Sequence, residues 1–181
     1  KLSVEMASKD FCHAYGMKGI ALMYFNPIGA DPKIRSGPSN KNSSHVIGKL
    51  SEASQTSNGT FEITGSKWPT RDGTGIRDYI HVWDVALAHV RALQNFNQIV
   101  TDEDPYTEIN IGSGEGTTVL ELLSAFEEVA GGKIQTVHGD PRPGDVAGAY
   151  TNRDKAKALL DWEPRFSLEQ GIADFLKWIR K

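Results

Sequence analysis

Arginine and aspartate gather in two glycine-containing stretches, Arg71–Tyr79 and Asp140–Asp145. The planar fork of arginine meets phosphate oxygens in pairs. Carboxylates beside it accept hydrogen bonds from hydroxyls. Such groups suit a ligand that carries both phosphate and sugar. Charged loops more often serve local ion pairing than chemistry, so spacing alone leaves a purely structural use of both stretches open.

Other patterns carry less. Gly112-Ser113-Gly114-Glu115-Gly116 follows a predicted strand and opens a predicted helix, as phosphate loops do. It lacks the spacing of a dinucleotide fingerprint and the Lys-Ser/Thr ending of a P-loop, so it reads as a tight turn. His13, His45, His81, His89 and His138 show no metal-ligand spacing. His81 and Asp84 read as a packed histidine and a helix-capping aspartate. Cys12 has no Cys-x-x-Cys partner and reads as core. No Gly-x-Ser-x-Gly elbow is present. The four tryptophans are dispersed, without the basic surface of a nucleic-acid platform.

These loops need a scaffold. Leu2, Met6, Phe11 and Tyr15 have helical spacing, closed by Gly16. Strands are predicted at 19–25, 61–64, 108–111 and 134–138, with a short extended piece at 79–82. Helices are predicted at 46–53, after Asp84, after the Thr118/Glu121 capping pair, at 156–160 and at 167–179. A long Gly/Pro/Ser/Asn stretch, 29–44, separates the first strand from the second helix. Alternating strands and helices predict an α/β domain. With 39% hydrophobic and 24% charged residues the composition is that of a globular domain. A net charge of -3 provides no field for nucleic acid. No apolar run is long enough to span a membrane. One cysteine permits no intrachain disulfide, which suits a reducing, cytoplasmic setting.

Longer strings carry a family resemblance. Tyr24-Phe25-Asn26-Pro27-Ile28-Gly29-Ala30 resembles the YFNPxGA turn of UDP-galactose 4-epimerases. Pro69 through Val82 resembles their PTxDGTGxRDYIHV segment, and Arg142-Pro143-Gly144-Asp145-Val146-Ala147 their RxGDxA loop. Asn152 to Trp162 and the last helix are similar to the family's closing segment. The resemblance runs through the chain in order. RxGD alone would also fit other nucleotide-sugar enzymes of the extended short-chain dehydrogenase/reductase group, such as dehydratases and decarboxylases.

The resemblance implies NAD-dependent interconversion of UDP-glucose and UDP-galactose through a 4-keto sugar. It implies that Arg77 and Arg142 hold the diphosphate, that Asp145 bonds the ribose, and that Asn26 contacts substrate. Glu62, Ile63 and Thr64 would line the uridine pocket. Tyr24 and Phe25 would lie beside the cofactor. Lys1 resembles the lysine of the family's Tyr-x-x-x-Lys pair, a spacing that places both side chains on one helical face. Its tyrosine would then lie before the first residue, as would the glycine-rich cofactor loop. The chain is thus expected to be a piece of a larger enzyme, inactive alone, whose partners are a UDP-hexose, the missing N-terminal NAD-binding half and, when intact, a second copy.

The implied fold is the end of a doubly wound, Rossmann-like parallel sheet plus a smaller α/β substrate domain. Residues 1–30 would finish the cofactor domain. Residues 31–181 would form mainly the substrate domain, with elements near 79–111 returning to the sheet. Two positions depart from the family. The loop after Ala30 is shorter, and Asn42 is the best match there for a substrate-contacting asparagine. Ala149 stands where some members carry tyrosine, which would leave room for a 2-acetamido group.

Overall fold

A computed structural model describes residues 1–39, 45–56 and 58–181. The chain opens with α1 (Leu2–Tyr15), ended by Gly16 at φ 65°, a left-handed position that glycine takes without steric cost. Next come β1 (Gly19–Tyr24), β2 (Asn26–Ile28), α2 (Val46–Gln55), β3 (Thr60–Thr64) and β4 (Ile76–His81). Then follow α3 (Val82–Gln94), α4 (Phe96–Ile99), β5 (Tyr106–Ile111), β6 (Gly116–Thr118) and α5 (Val119–Ala130). The chain finishes with β7 (Gln135–Gly139), β8 (Gly148–Ala149), α6 (Asp154–Leu160) and α7 (Leu168–Ile179).

Parallel pairing dominates, as the α/β reading requires. β1 lies against β5 with Gly19 opposite Tyr106 and Tyr24 opposite Ile111. β2 pairs with β4 and β3 with β7, also in parallel. Among the described residues only β6 runs antiparallel, along the start of β4, whose Ile76 and Arg77 also meet β8. Parallel strands need crossovers, and the intervening helices supply them.

Two apolar clusters fill the interior. One joins Ile80, Val85, Ala88, Ile109, Ile111 and Trp162, where α3 and α6 cover β4 and β5. The other joins Leu50, Ile63, Leu122, Phe126, Ile172 and Phe175, from α2, β3, α5 and α7. The capping box of α5 forms as its sequence predicts, with Thr118 accepting from the Glu121 N–H and Glu121 from the Thr118 N–H.

Three local features go beyond or against the sequence reading. The Leu2–Met6–Phe11–Tyr15 stripe of α1 is exposed, and Cys12 is the buried residue of that helix. Its helical period is real, but the face turned inward is the one that carries Glu5, Ser8 and Cys12. Secondly, α3 is capped by His81, not Asp84. β4 runs straight into the helix, so the Trp83 N–H meets His81 Nδ1 at 3.0 Å. Asp84 falls inside the first turn, fully buried, where Oδ2 accepts the Arg165 and Phe166 N–H groups at 3.1 Å each. Thirdly, the stretch after Gln94 contains the short helix α4 rather than connector alone.

Candidate nucleotide-sugar cleft

One cavity of about 790 Å³ opens between the β2–β4 strands, α2, β3 and the 142–146 loop. That volume is in the range of small-molecule sites. Each charged group on its wall is placed by a specific element.

Arg77 comes from β4 and is half-buried. Its Nη1 donates to the Ile76 carbonyl at 2.7 Å and the Val146 carbonyl at 3.4 Å. The second contact links β4 to the loop before β8, which the Ile76 N–H reinforces by donating to the Ala147 carbonyl at 2.7 Å. Arg142 and Asp145 stand in that loop. The Asp145 N–H donates to the Arg142 carbonyl at 3.0 Å, and the Arg142 N–H returns to Asp145 Oδ2 at 3.3 Å. Gly144 sits between them at φ 84°, a conformation that favours glycine. Arg77, Arg142 and Asp145, far apart in sequence, therefore line one cleft.

Asn26 lines the same cleft from β2, its Nδ2 donating to the Asp78 carbonyl at 3.0 Å. The Asp78 side chain is fully buried and has a different task. It accepts from the N–H groups of Ser113 (2.7 Å), Gly114 (3.1 Å) and Thr151 (3.1 Å). The Gly112–Gly116 segment is thus a turn wrapped on an internal carboxylate. Arg71, which also drew notice in the sequence, pairs with Glu121 and donates to the Gly116 carbonyl at 2.6 Å, away from the cleft.

Glu62 and Thr64 line the cleft from β3. Ile63 does not offer its side chain there. It is 1% exposed and packs in the core, because successive residues of a strand face opposite ways. Ala149 is exposed on β8, opposite Arg77 in register, and outside the cavity lining. Tyr24, half-exposed at the carboxyl end of β1, and Phe25, whose N–H donates to the Ile111 carbonyl at 3.2 Å, also lie outside it, next in sequence to Asn26. Lys1 is exposed at the start of α1, where its carbonyl accepts the Val4 and Glu5 N–H groups. Asn42 lies outside the described residues.

Several wall residues had no motif to mark them. His45 and Lys49 come from the start of α2, and Trp68 and Trp83 from separate segments. Tyr79, which the Pro69–Val82 string contains, reaches the cleft from β4, and burial pushes its hydroxyl pKa to about 12. Asp31 is buried and ion-paired with Arg35; that hydrogen bond lowers its carboxyl to about 2. The cleft thus presents the cations of Lys49, Arg77 and Arg142 with carboxylates at Glu62 and Asp145. That mixture can bind a diphosphate and hydroxyls together. Among the described residues no group of histidine, cysteine and carboxylates has metal-holding geometry, and no helix is long and apolar enough to cross a membrane.

The profile of the NAD dependent epimerase/dehydratase family matches residues 1–112. A UDP-glucose 4-epimerase of Bacillus subtilis is 39% identical over 98% of this chain and 52% of its own length. The structure resembles UDP-glucose 4-epimerase from Stenotrophomonas maltophila, solved with NAD and formylated UDP-arabinopyranose. That match has a TM-score of 0.89 and 35% identity over 99% of this chain and 53% of that one. It also resembles the Bifidobacterium longum UDP-glucose 4-epimerase solved with NAD+ and UDP. There the TM-score is 0.88 and the identity 31%, over 99% of this chain and 53% of that one. The chain spans about half the length of the relatives it matches.

Proposed function

The chain belongs to the NAD dependent epimerase/dehydratase family, and from that premise we propose that it is the UDP-sugar-binding part of a UDP-glucose 4-epimerase. The observation that carries this reading is the meeting of Arg77, Arg142, Asp145 and Asn26 around one cleft. In the reading, the two guanidinium groups grip the diphosphate, because paired N–H donors match phosphate oxygens. Asp145 accepts from the uridine ribose hydroxyls. Glu62 and Thr64, with the Ile63 backbone between them, border the uracil. Asn26, fixed by the Asp78 carbonyl, faces the hexose.

NAD fits the open end of the β1–β5 pair. Tyr24 and Phe25 stand there beside Asn26, at the carboxyl ends of parallel strands where nucleotides bind in open α/β sheets. NAD, when bound, supplies the acceptor and donor of hydride at sugar C4. Lys1 is assigned to the nicotinamide ribose and to lowering the pKa of a tyrosine one helical turn before it. Such a tyrosinate would accept the proton of the sugar 4-hydroxyl. The firm grip on the diphosphate would leave the sugar free to turn, so that either face of C4 could be presented to the cofactor.

The exposed apolar residues of α1 and the half-buried β1 suit contact with an N-terminal cofactor-binding half and with a second copy. Residues 1–30 belong, on this reading, to the cofactor domain, most of 31–181 to the substrate domain, and the protein to the cytoplasm. This chain alone binds UDP-sugar and turns nothing over. Calorimetric titration with UDP and UDP-galactose tests the first statement, and absence of saturable binding would refute it. Incubation with NAD and UDP-galactose tests the second, where any UDP-glucose formed would count against it.

A further inference from the structure

Asp31, Ser36, Gly37, Pro38 and Ser39 make one wall of the cleft. The wall contains a strained point. Ile34 has φ 55°, a left-handed conformation that is a genuine outlier for a β-branched residue. Such strain persists only where the surroundings over-determine the backbone. The surroundings do so from two directions.

Toward the cleft, Arg35 pairs with the buried Asp31 carboxylate, and its guanidinium lies 5.2 Å from the centre of the Trp83 ring. The Asp31 N–H also donates to the Ser36 carbonyl at 3.0 Å, closing the loop on itself. On the far side stand α7 and the residues after it. Trp178 Nε1 donates to the Pro38 carbonyl at 2.9 Å. The same ring packs on Gly37 so closely that an added Cβ would come within 2.5 Å of it. Lys181 Nζ donates to the carbonyl of strained Ile34 at 3.1 Å and sits 5.6 Å from the Trp178 ring centre. Neither Trp178 nor Lys181 lines the cleft.

We propose that Trp178, assisted by Lys181, is a positioning residue for the nucleotide-sugar cleft: it clamps the 34–38 wall from behind and touches no ligand. This rests on the cleft being a UDP-sugar site. The clamp works by preorganisation. A wall already held in its bound geometry loses less freedom when ligand arrives. Released from Trp178, the loop relaxes at Ile34 and the wall moves.

The test pairs two conservative variants. Trp178→Phe keeps a ring on Gly37 and removes the donor to Pro38. Trp162→Phe removes a comparable donor, the one from Nε1 to the Asp84 carbonyl at 3.1 Å, at a buried site outside the cleft. Hydrogen exchange of the 31–39 amides and calorimetric UDP affinity are read on both. In Trp178→Phe, loop exchange should rise and UDP affinity fall, each by about five- to tenfold, the worth of roughly one hydrogen bond. Trp162→Phe should lower overall stability and leave both readouts at the wild-type level. Unchanged loop exchange in Trp178→Phe overturns the clamp. Faster exchange with unchanged affinity overturns the positioning role, as does an equal loss of affinity in Trp162→Phe. If the unmodified chain binds no UDP, the functional reading fails, and hydrogen exchange still decides whether Trp178 holds the loop.

Discussion

Nε2 of His81 lies 3.4 Å from Oδ2 of Asp174, joining the end of β4 to α7 inside the protein. His81 Nδ1 accepts the Trp83 N–H, so in the neutral ring the proton sits on Nε2, beside the carboxylate but outside hydrogen-bonding geometry with it. Burial pushes the His81 pKa below its usual value and favours that neutral ring. Phe166 stacks on the imidazole at 4.4 Å between centres, and Gly29, at φ 93°, lies so close that an added Cβ would come 3.0 Å from Nε2. Truncation of Asp174 to Ala removes the carboxylate beside this buried N–H and the ion pair with Lys177. The expected loss is about 2–4 kcal/mol of unfolding free energy, read from urea denaturation. Asp174→Asn, which keeps an acceptor oxygen, should lose less.

Asp78 organises three segments at once, through N–H groups of Ser113, Gly114 and Thr151. Asp78→Ala leaves these donors without their acceptor at the root of the cleft. A loss of about 3 kcal/mol or more is expected. Chemical denaturation measures it, and a change below about 0.5 kcal/mol would contradict the anchoring role.

Arg77 and Arg142 differ in how they are held, and this predicts unequal effects. Arg77 is half-buried and fixed through Nη1, whereas Arg142 is exposed. Charge-assisted bonds from a fixed guanidinium lose less freedom on binding. Arg77→Ala should weaken UDP binding by about 2–3 kcal/mol and Arg142→Ala by about 1–2 kcal/mol. Titration calorimetry at fixed ionic strength separates them.

The Asp31–Arg35 pair predicts an acid-sensitive cleft wall. Its hydrogen bond lowers the Asp31 carboxyl from 3.8 to about 2 in the fold. The native carboxylate therefore binds protons more weakly than the unfolded one. Its stabilising contribution is complete above pH 3.8 and is lost as pH falls from there toward about 2. Nuclear magnetic resonance of the 31–36 amides should show a step in that range. Asp31→Asn should abolish it.

Ala149 pairs with Arg77 in register, close to the diphosphate groups of the proposed complex. Although Ala149 lies outside the cavity lining, in the proposed complex a small side chain there would leave room for an acetamido group. The chain should bind UDP-N-acetylglucosamine and UDP-glucose with similar affinity. Ala149→Tyr should weaken the former at least tenfold and spare the latter. Equal weakening of both would remove Ala149 from specificity.

Most elements were legible because their signals are local. Gly16 ends α1, Thr118 and Glu121 cap α5, and Ser167 caps α7, each through atoms a few residues apart. The strings around Asn26, Arg77 and Arg142 were legible too, as a family resemblance. What the sequence by itself determined was therefore the period of each helix, its ends and the chemistry held in reserve. Tertiary structure alone decided which groups share a cavity. Trp68, Trp83 and Lys49 reach the cleft from separate elements, and no spacing rule links them. It also decided that Ile63 turns inward, that His81 rather than Asp84 caps α3, and that Trp178 meets Pro38. Local signals arise from bonds closed over one or two turns of chain. Burial and convergence arise from packing between segments far apart in sequence, which no window of residues contains.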